Sequence, residues 1–204
     1  TLLQRMHVDI PPATPPGTYT LNIAWVQRST DRYVSYITQD GTQGVVWENI
    51  GTLEVTRPAS FPDPATIPMQ VRQATAAAPG VQLLGWDAPP TRLRPGETLP
   101  MTLYWQATNA NRADFSAELL LRGETGDTPV WSGTPVRPNY APSQWAEGEV
   151  LAQRLAPVIP REQAAGRYTL LLSTGAAEVS LATLDVDGVA RVFEPPAAQS
   201  TPNI

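Results

Sequence analysis

The sequence predicts an all-β protein built from tandem antiparallel β-sandwiches, the first of them incomplete at its N-terminus. Several short segments alternate apolar and polar residues with the period of two that a half-buried strand requires. The 204 residues include 22 prolines and 14 glycines, which interrupt helices and favour short strands joined by turns. Between these prolines and glycines, no segment has the pattern of a long helix.

The first predicted domain, residues 1–57, is the C-terminal part of a sandwich. One face of "GTYTLNIAWV" carries the large apolar side chains of Tyr19, Leu21, Ile23 and Trp25. The segments "DRYVSYIT" and "GVVWENIGTLEV" predict further strands, and "QDGTQG" supplies the turn residues between them. Prolines at 58, 62, 64, 68 and 79 then predict a semi-stiff linker or lead-in over residues 58–80.

The second predicted domain, residues 81–195, is a complete sandwich of about eight strands. The predicted strands lie in "VQLLGWD", "ETLPMTLYWQA", "FSAELLLRG", "TPVWSGT", "GEVLAQRLAPVI", "GRYTLLLS" and "EVSLATLDV". The "ETGD" segment favours a hairpin connection, and Asp187-Gly188 predicts another hairpin whose returning strand is "VARVF". Residues 196–204 are expected to form a disordered tail.

Nearly the same phrase occurs in both predicted domains. "PPGTYTLNIAW" matches "AAGRYTLLLST", with Gly17 aligned to Gly166 and Tyr19 to Tyr168, an offset of 166 − 17 = 149 residues. The flanks agree as well, since "NIGTLEVTRP" resembles "LATLDVDGVA". An offset of about one domain length predicts a repeat of whole domains, in which the front of the first copy is missing.

The Gly-x-Tyr element of this phrase has a structural explanation. Glycine allows the tight approach into the strand, and a tyrosine two residues later buries its ring while its hydroxyl bonds a backbone group. This is the arrangement of the tyrosine corner in immunoglobulin-like sandwiches. We therefore assign an architectural role, and no catalytic one, to Gly17, Tyr19, Gly166 and Tyr168.

Four further segments carry a family resemblance: "LLGWD" (83–87), "LRPGETLPMTLYW" (93–105), "NYAPSQWAEGEVL" (139–151) and "AAGRYTLLL" (164–172). They resemble a repeated immunoglobulin-like β-sandwich module of large bacterial membrane and surface proteins. That module often lies C-terminal to family 39-like (protein-mannosyltransferase-like) glycosyltransferases. The resemblance covers most of residues 81–190, and "TNANRADFS" (108–116) departs from it. It implies a non-catalytic, extracytoplasmic domain and brings no catalytic residues.

Composition argues against several classes of function. The net charge is −5, and all 14 basic residues are scattered arginines, whereas nucleic-acid binding needs a concentrated positive face. The chain has no cysteine and a single histidine, His7, so neither a zinc site nor a histidine-dependent triad is expected. No apolar run approaches the ~20 residues that span a bilayer, so we expect no membrane insertion of this segment. We also expect no cofactor and no enzymatic activity.

Two pairs of carboxylates lie two residues apart. Asp185 and Asp187 are weak candidates for a calcium site, since two carboxylates are few for an ion that takes about six or more oxygen ligands. Glu147 and Glu149 match only approximately the spacing of the two catalytic carboxylates of a glycosidase. A hairpin exit explains the first pair and a solvated strand start explains the second, so neither predicts a metal centre or an active site.

The loop "RPNYAPSQW" provides the candidate ligand-binding residues, Tyr140 and Trp145. Aromatic faces on sandwich loops stack on the apolar C–H groups of sugar rings. The alternative is that both rings close one end of the core. Sugar binding requires the two rings to be exposed and nearly coplanar, whereas core closure requires them to be buried.

The sequence thus predicts a non-catalytic, extracytoplasmic module that serves as a spacer, adhesion or recognition domain of a larger bacterial membrane or surface protein. The alternative is a carbohydrate-binding module that assists a linked glycosyltransferase. The expected partners are a glycan or another surface protein. The incomplete first domain is also expected to form a strand-swapped homodimer, because its edge strands lack neighbours.

Overall fold

The computed structural model describes residues 7–24, 26–27, 32–33, 35–37, 43–45 and 47–188. The fold is all-β with several antiparallel sheets, as the sequence predicts. The strands are β1 (Gly17–Ala24), β2 (Val26–Gln27), β3 (Arg32–Tyr33), β4 (Ser35–Ile37), β5 (Gln43–Val45), β6 (Trp47–Val55), β7 (Val71–Ala78), β8 (Val81–Asp87), β9 (Arg92–Leu93), β10 (Met101–Ala107), β11 (Ala117–Gly123), β12 (Gly126–Gly133), β13 (Val150–Leu155), β14 (Gly166–Ser173) and β15 (Glu178–Val186).

Helical structure in the described residues is limited to two 3₁₀ turns, Pro64–Thr66 and Pro142–Gln144. A proline stands at the start of each turn, where its missing N–H costs no hydrogen bond. Within the same part of the chain, no helix is long and apolar enough to cross a membrane.

The strands from β7 onward form two sheets that pack face to face. One sheet has the strand order β13-β10-β8-β7, and the other has the order β12-β11-β14-β15-β9. Neighbouring strands are antiparallel, except for the short parallel contact between β9 and β15. The core between the sheets draws buried side chains from both, among them Leu83, Leu103, Trp105, Leu119, Leu121, Leu170 and Leu172.

Two of the buried tryptophans, Trp86 and Trp105, come from strands of the four-stranded sheet, and the N–H group of each has a hydrogen-bond acceptor. Trp105 donates its indole N–H to the side-chain oxygen of Gln153 at 2.8 Å. Trp86 donates its own to the carbonyl of Leu181, on the opposite sheet, at 2.9 Å. Because an unpaired buried donor costs about 1–3 kcal/mol, these bonds make the tryptophans compatible with full burial.

The structure corrects the predicted linker over residues 58–80. The stretch from 71 to 78 is strand β7, which pairs with β8 along an edge of the four-stranded sheet. The two strands approach closely at Gly85, where a Cβ atom would lie 2.0 Å from the carbonyl oxygen of Val71. Proline content alone therefore placed the start of the folded unit too late in the chain.

The N-terminal part of the chain contains a separate antiparallel pair, β1 with β6. Two shorter antiparallel pairs, β2 with β3 and β4 with β5, lie between β1 and β6 along the chain, in the region where further strands are predicted. Trp25, the predicted returning strand "VARVF" and the predicted tail at 196–204 lie outside the described residues.

The pair β1–β6 has the same register as the pair β14–β15. Each pair is regular for five residues and then contains a bulge: Ile50 is the extra residue of β6, and Leu181 is the extra residue of β15. Each first strand begins with a glycine of positive φ, 143° at Gly17 and 158° at Gly166. The aligned sequence segments thus adopt the same local structure.

Candidate functional site

The most elaborate polar cluster in the described residues joins the N-terminal strand pair to the two-sheet unit. It consists of Tyr19, Arg57, Arg137, Tyr140 and Glu149, and is called here the arginine–tyrosine junction. Tyr19 and Arg57 come from the N-terminal segment. Arg137, Tyr140 and Glu149 belong to the loop that precedes β13, and Glu149 is the last residue of that loop. Each segment contributes an arginine to a tyrosine of the other.

Glu149 is the buried anchor of the junction. It is only 2% exposed, and its carboxylate accepts the Tyr140 hydroxyl at 2.9 and 3.0 Å from its two oxygens. It also accepts the backbone N–H of Ala146 at 2.7 Å. Arg57 supplies the countercharge, with its Nε 3.4 Å from Oε2. A carboxylate this deeply buried is tolerated because it is both paired and hydrogen-bonded.

Arg57 follows β6 directly and reaches across to the loop. Its guanidinium donates to the Tyr140 hydroxyl, with Nε at 3.1 Å, and to the carbonyl of Gln144 at 2.6 Å. Its central carbon lies 5.7 Å from the Tyr140 ring centroid. The planar fork of arginine allows one side chain to engage the hydroxyl, a carbonyl and the carboxylate together.

Arg137 makes the reverse contact, from the two-sheet unit to the N-terminal strands. It donates to the hydroxyl of Tyr19, and its central carbon lies 4.8 Å from the centroid of that ring, within the range of a cation–π interaction. The preceding residue, Val136, has a φ of 68°, which is a strained conformation for a β-branched residue. The backbone that presents Arg137 is therefore held by its surroundings rather than by local preference.

The protonation states of the junction favour a structural role over a role in proton transfer. Burial raises the pKa of Tyr140 above its ordinary value, so the phenol keeps its proton and remains a donor to Glu149. The hydrogen bond to Tyr140 raises the pKa of Arg57, which stays charged. Each group in the cluster has a hydrogen-bonding or ionic partner, so the cluster holds the N-terminal strand pair against the loop that precedes β13.

Trp145 does not have the exposed position that stacking on a sugar requires. Its side chain is 2% exposed and belongs to the main core, and its indole N–H donates to the carbonyl of Tyr140 at 2.9 Å. Tyr140 is half-buried and packs against the same core. The two candidate ligand-binding residues therefore have the burial expected for closure of the core, the alternative stated above.

The segment 108–116, which departs from the family resemblance, braces this loop. Arg112 donates to the carbonyls of Pro142, at 3.2 Å, and of Trp145. The side chain of Asp114 accepts the backbone N–H of Ser143 at 2.9 Å. An irregular stretch in the sequence thus corresponds to a loop whose polar side chains position a neighbouring loop.

The other predicted candidates lie apart from the junction. Asp185 pairs with Arg167 at 3.2 Å, and Asp187 pairs with Arg92 at 2.9 Å. Within the described ranges, no group of three or more potential metal-ligating side chains comes together. The side chain of His7 is 93% exposed and lies 3.7 Å from Asp9.

The members of the carboxylate pair Glu147 and Glu149 have opposite environments. Glu147 is exposed, while Glu149 is buried, so the prediction that both are solvated at a strand start is wrong for Glu149. The predicted site residues did not include Arg57, Arg112 or Arg137. No local pattern distinguishes these arginines, because their partners are distant along the chain.

A cleft of about 430 Å³ lies beside the junction. One wall is the inward face of the N-terminal strand pair, with Leu21 and Leu53, and the other is the outer face of the four-stranded sheet, with Tyr104 and Ala152. The Tyr104 hydroxyl donates to the carboxylate of Asp87 at 2.8 Å. The cleft is of the size that small ligands occupy, but its walls are mainly aliphatic side chains and prolines.

No protein-family model and no curated protein matches the chain. The fold and the arginine–tyrosine junction therefore define the class of this protein. It is an all-β protein of antiparallel sheets whose N-terminal strand pair is joined to a two-sheet unit by reciprocal arginine–tyrosine contacts.

Proposed function

We propose that this chain is a non-catalytic spacer of a larger bacterial membrane or surface protein, working outside the cytoplasm. In this proposal it consists of tandem immunoglobulin-like sandwiches joined at a fixed angle. The observation that carries the proposal is the arginine–tyrosine junction. A spacer that sets distance and orientation needs neighbouring units that do not swivel, and contacts made in both directions across a boundary meet that need.

The contacts of the junction lie together at one end of the strand pair, because Gly17 at the start of β1 pairs with Val55 at the end of β6. Arg57 engages Tyr140 there, and Arg137 engages Tyr19. The two contacts run in opposite directions across the boundary, so both must break before the strand pair can move away from the loop. The buried Glu149 strengthens the arrangement, since separating the segments would leave its carboxylate without Arg57.

The tandem arrangement is supported by the equivalence of the two strand pairs. The pair β14–β15 is one part of a two-sheet sandwich, and β1–β6 repeats its register and its bulge. In this proposal β1–β6 is the corresponding part of a preceding sandwich, whose remaining strands are not among the described residues. The extracytoplasmic location and the bacterial surface context rest on the resemblance of the segments within 83–172.

The proposal is tested by measuring the angular freedom between the two units. The sequence has no cysteine, so Thr52→Cys and Ser180→Cys, both at exposed positions, place spin labels on β6 and β15 without background. Pulsed electron paramagnetic resonance then gives the distribution of distances between the labels. We expect a narrow distribution, and a broad one when Arg57→Ala and Arg137→Ala are combined.

An Arg154→Ala variant serves as the control, because Arg154 lines the cleft but takes no part in the junction. It should leave the distribution narrow. A broad distribution in the otherwise unaltered chain would show that the units swivel, and the proposal of a rigid spacer would be abandoned.

A further inference from the structure

We propose that residues 61–70 form a strap that bears tension and holds the two-sheet unit closed when the polypeptide is pulled along the strands. The strap has the sequence "FPDPATIPMQ" and lies on the outer face of the four-stranded sheet. The inference deepens the proposed function and rests on it, because a spacer is the element through which a pull between its two neighbours must pass.

The polypeptide enters and leaves the two-sheet unit at opposite ends. The upper end carries the β7–β8 hairpin, where Ala107 pairs with Val81 and donates its N–H to the carbonyl of Glu149. Arg57, which reaches Glu149, therefore enters at the upper end. The chain leaves β15 at Val186, at the lower end, where β15 pairs with β9 shortly after β8 has ended. A pull between entry and exit thus acts along the strands.

The strap runs from the upper end to the lower end. A Cβ atom on Gly148, at the upper end, would lie 3.7 Å from the ring of Phe61, the first residue of the strap. The last residue, Gln70, is bound at the lower end. Its N–H donates to the side chain of Asp87 at 3.2 Å, and its side chain accepts the N–H of Ala88 at 3.0 Å. Below this point the chain turns back into β7.

The middle of the strap is anchored by a buried side chain. Ile67 is almost fully buried, in a cluster with Leu84, Tyr104 and Val150 on the outer face of the sheet. The Tyr104 hydroxyl also donates to the carbonyl of Pro68 at 3.1 Å. Because burial of a whole isoleucine side chain stabilises more than one average hydrogen bond does, Ile67 is the main anchor.

Arg72, near the start of β7, fixes the shape of the strap. Its guanidinium donates to the carbonyls of Pro64, at 3.0 Å, of Ala65, at 3.1 Å, and of Ile67. The three prolines of the strap restrict its backbone further. A stiff segment cannot extend one residue at a time, so a pull on its upper end is transmitted to all of its contacts together.

The direction of the pull determines how the contacts at both ends resist. The strap and β15 lie along the load, so their contacts are strained together in shear rather than opened one after another. β15 is paired along its length with β14, and the N–H groups of Asp185 and Asp187 donate at 2.8 Å to the carbonyls of Thr91 and Leu93. The strap has no such continuous pairing among the described residues, so we expect it to yield first and to set the force.

Without the strap, the same pull would act on the lower end of β7. This edge strand pairs only with β8. A load applied at Val71 would open the pairs in sequence, beginning with the pair to Trp86. Pairs that open one at a time resist less than contacts loaded together. The strap therefore converts a peeling load on β7 into a shearing load on itself.

The test applies force to the complete 204-residue chain in an optical trap, through DNA handles on two engineered cysteines, since the sequence has none of its own. Axial loading uses Ala59→Cys with Gly188→Cys, and bypass loading uses Gln73→Cys with Gly188→Cys, all at exposed positions. Bypass loading enters the unit after the strap. We expect axial loading to need at least about twofold more force, because forced unfolding is governed by the barrier that the load must cross.

Three variants connect the force to the strap. Ile67→Ala removes the main anchor and should lower the axial force by about half, with little change in the bypass force. Leu119→Ala removes the same amount of side chain from a fully buried position on β11 and should leave the ratio of the two forces unchanged. Tyr104→Phe loses only the hydroxyl and keeps the test possible if Ile67→Ala does not fold; it should lower the axial force by a smaller fraction.

Equal forces in the two directions would overturn the inference, as would equal force ratios in Ile67→Ala and Leu119→Ala. Both loading positions lie beyond Arg57 in the chain, so the arginine–tyrosine junction is outside the path of the load. The spin-label distances are measured without load. A narrow distribution with equal forces would leave the rigid spacer standing and remove the strap, whereas a broad distribution with a higher axial force would remove the fixed angle alone.

Discussion

Tyr19 and Tyr168 make the same contact in two different strand pairs, each donating its hydroxyl to the carbonyl of the residue four positions earlier. The distances are 2.7 Å to Pro15 and 2.9 Å to Ala164. The rings, however, have different neighbours. The ring of Tyr168 packs against Gly123, while that of Tyr19 lies beneath the guanidinium of Arg137. One local motif is thus used once inside a sandwich and once at a junction.

Removing the two hydroxyls should therefore have different consequences. Tyr168→Phe loses one partly buried hydrogen bond and should lower the free energy of unfolding by about 1 kcal/mol, measured by urea denaturation. Tyr19→Phe also removes an acceptor of Arg137, so it should broaden the spin-label distances between the two units. Tyr168→Phe should leave those distances narrow. Identical effects of the two substitutions on both measurements would contradict this division of roles.

The close approach of β7 to β8 predicts that Gly85 cannot be replaced. In Gly85→Ala the new Cβ would meet the carbonyl of Val71 at 2.0 Å, so β7 should detach or the unit should lose about 3 kcal/mol or more. Gly51→Ala is the matched control, because its φ of 153° is close to the 158° of Gly85 but no atom lies within 4 Å. It should cost about 1 kcal/mol from backbone strain. Hydrogen exchange at β7 reports the difference.

The burial of Glu149 predicts a graded response to substitution. Glu149→Leu leaves Tyr140, Arg57 and the Ala146 N–H without their acceptor, and should cost about 2–3 kcal/mol because Arg57 can partly rehydrate. Glu149→Gln keeps an oxygen acceptor and should cost about half as much. Urea denaturation measures both values. The exposed Glu147→Gln is the control and should change stability by less than about 0.5 kcal/mol; a loss equal to that of Glu149→Leu would show that burial is not the cause.

Much of the fold could be predicted from local sequence, and the reason is physical. The strands around Tyr19 and Tyr168 are specified by alternation, and the hydroxyl contact spans only four residues. The junction could not be predicted in this way. Glu149 is buried because Arg57 and Tyr140 reach it from elsewhere in the fold, and nothing in "AEGEV" records those partners.

Strand β8 was predicted from the sequence and strand β7 was not, and the difference illustrates the same limit. "VQLLGWD" combines apolar and aromatic residues and was predicted with its observed bounds. "VRQATAAA" is rich in alanine and follows several prolines, so its own composition favours no strand. It becomes one because β8 offers an edge and Gly85 permits the approach.

The last prediction concerns alkaline pH. Burial, together with the hydrogen bond to Asp87, raises the pKa of Tyr104 to about 12 from an ordinary value of 10. The folded state therefore binds a proton that the unfolded state releases between these values, so stability is intact below pH 10 and falls as the pH rises towards 12. The loss should reach about 2 kcal/mol. The sequence contains no lysine, so no lysine titrates in this window.

Urea denaturation at a series of pH values measures this loss, and tyrosinate absorbance of the folded protein measures the titration itself. In Tyr104→Phe the fall in stability above pH 10 should be smaller, because the group that titrates late is gone. A remainder is expected from Tyr140, whose pKa is raised in the same direction by burial. If Tyr104→Phe and the unaltered chain lost stability equally between pH 10 and 12, the hydroxyl of Tyr104 would not be the group responsible.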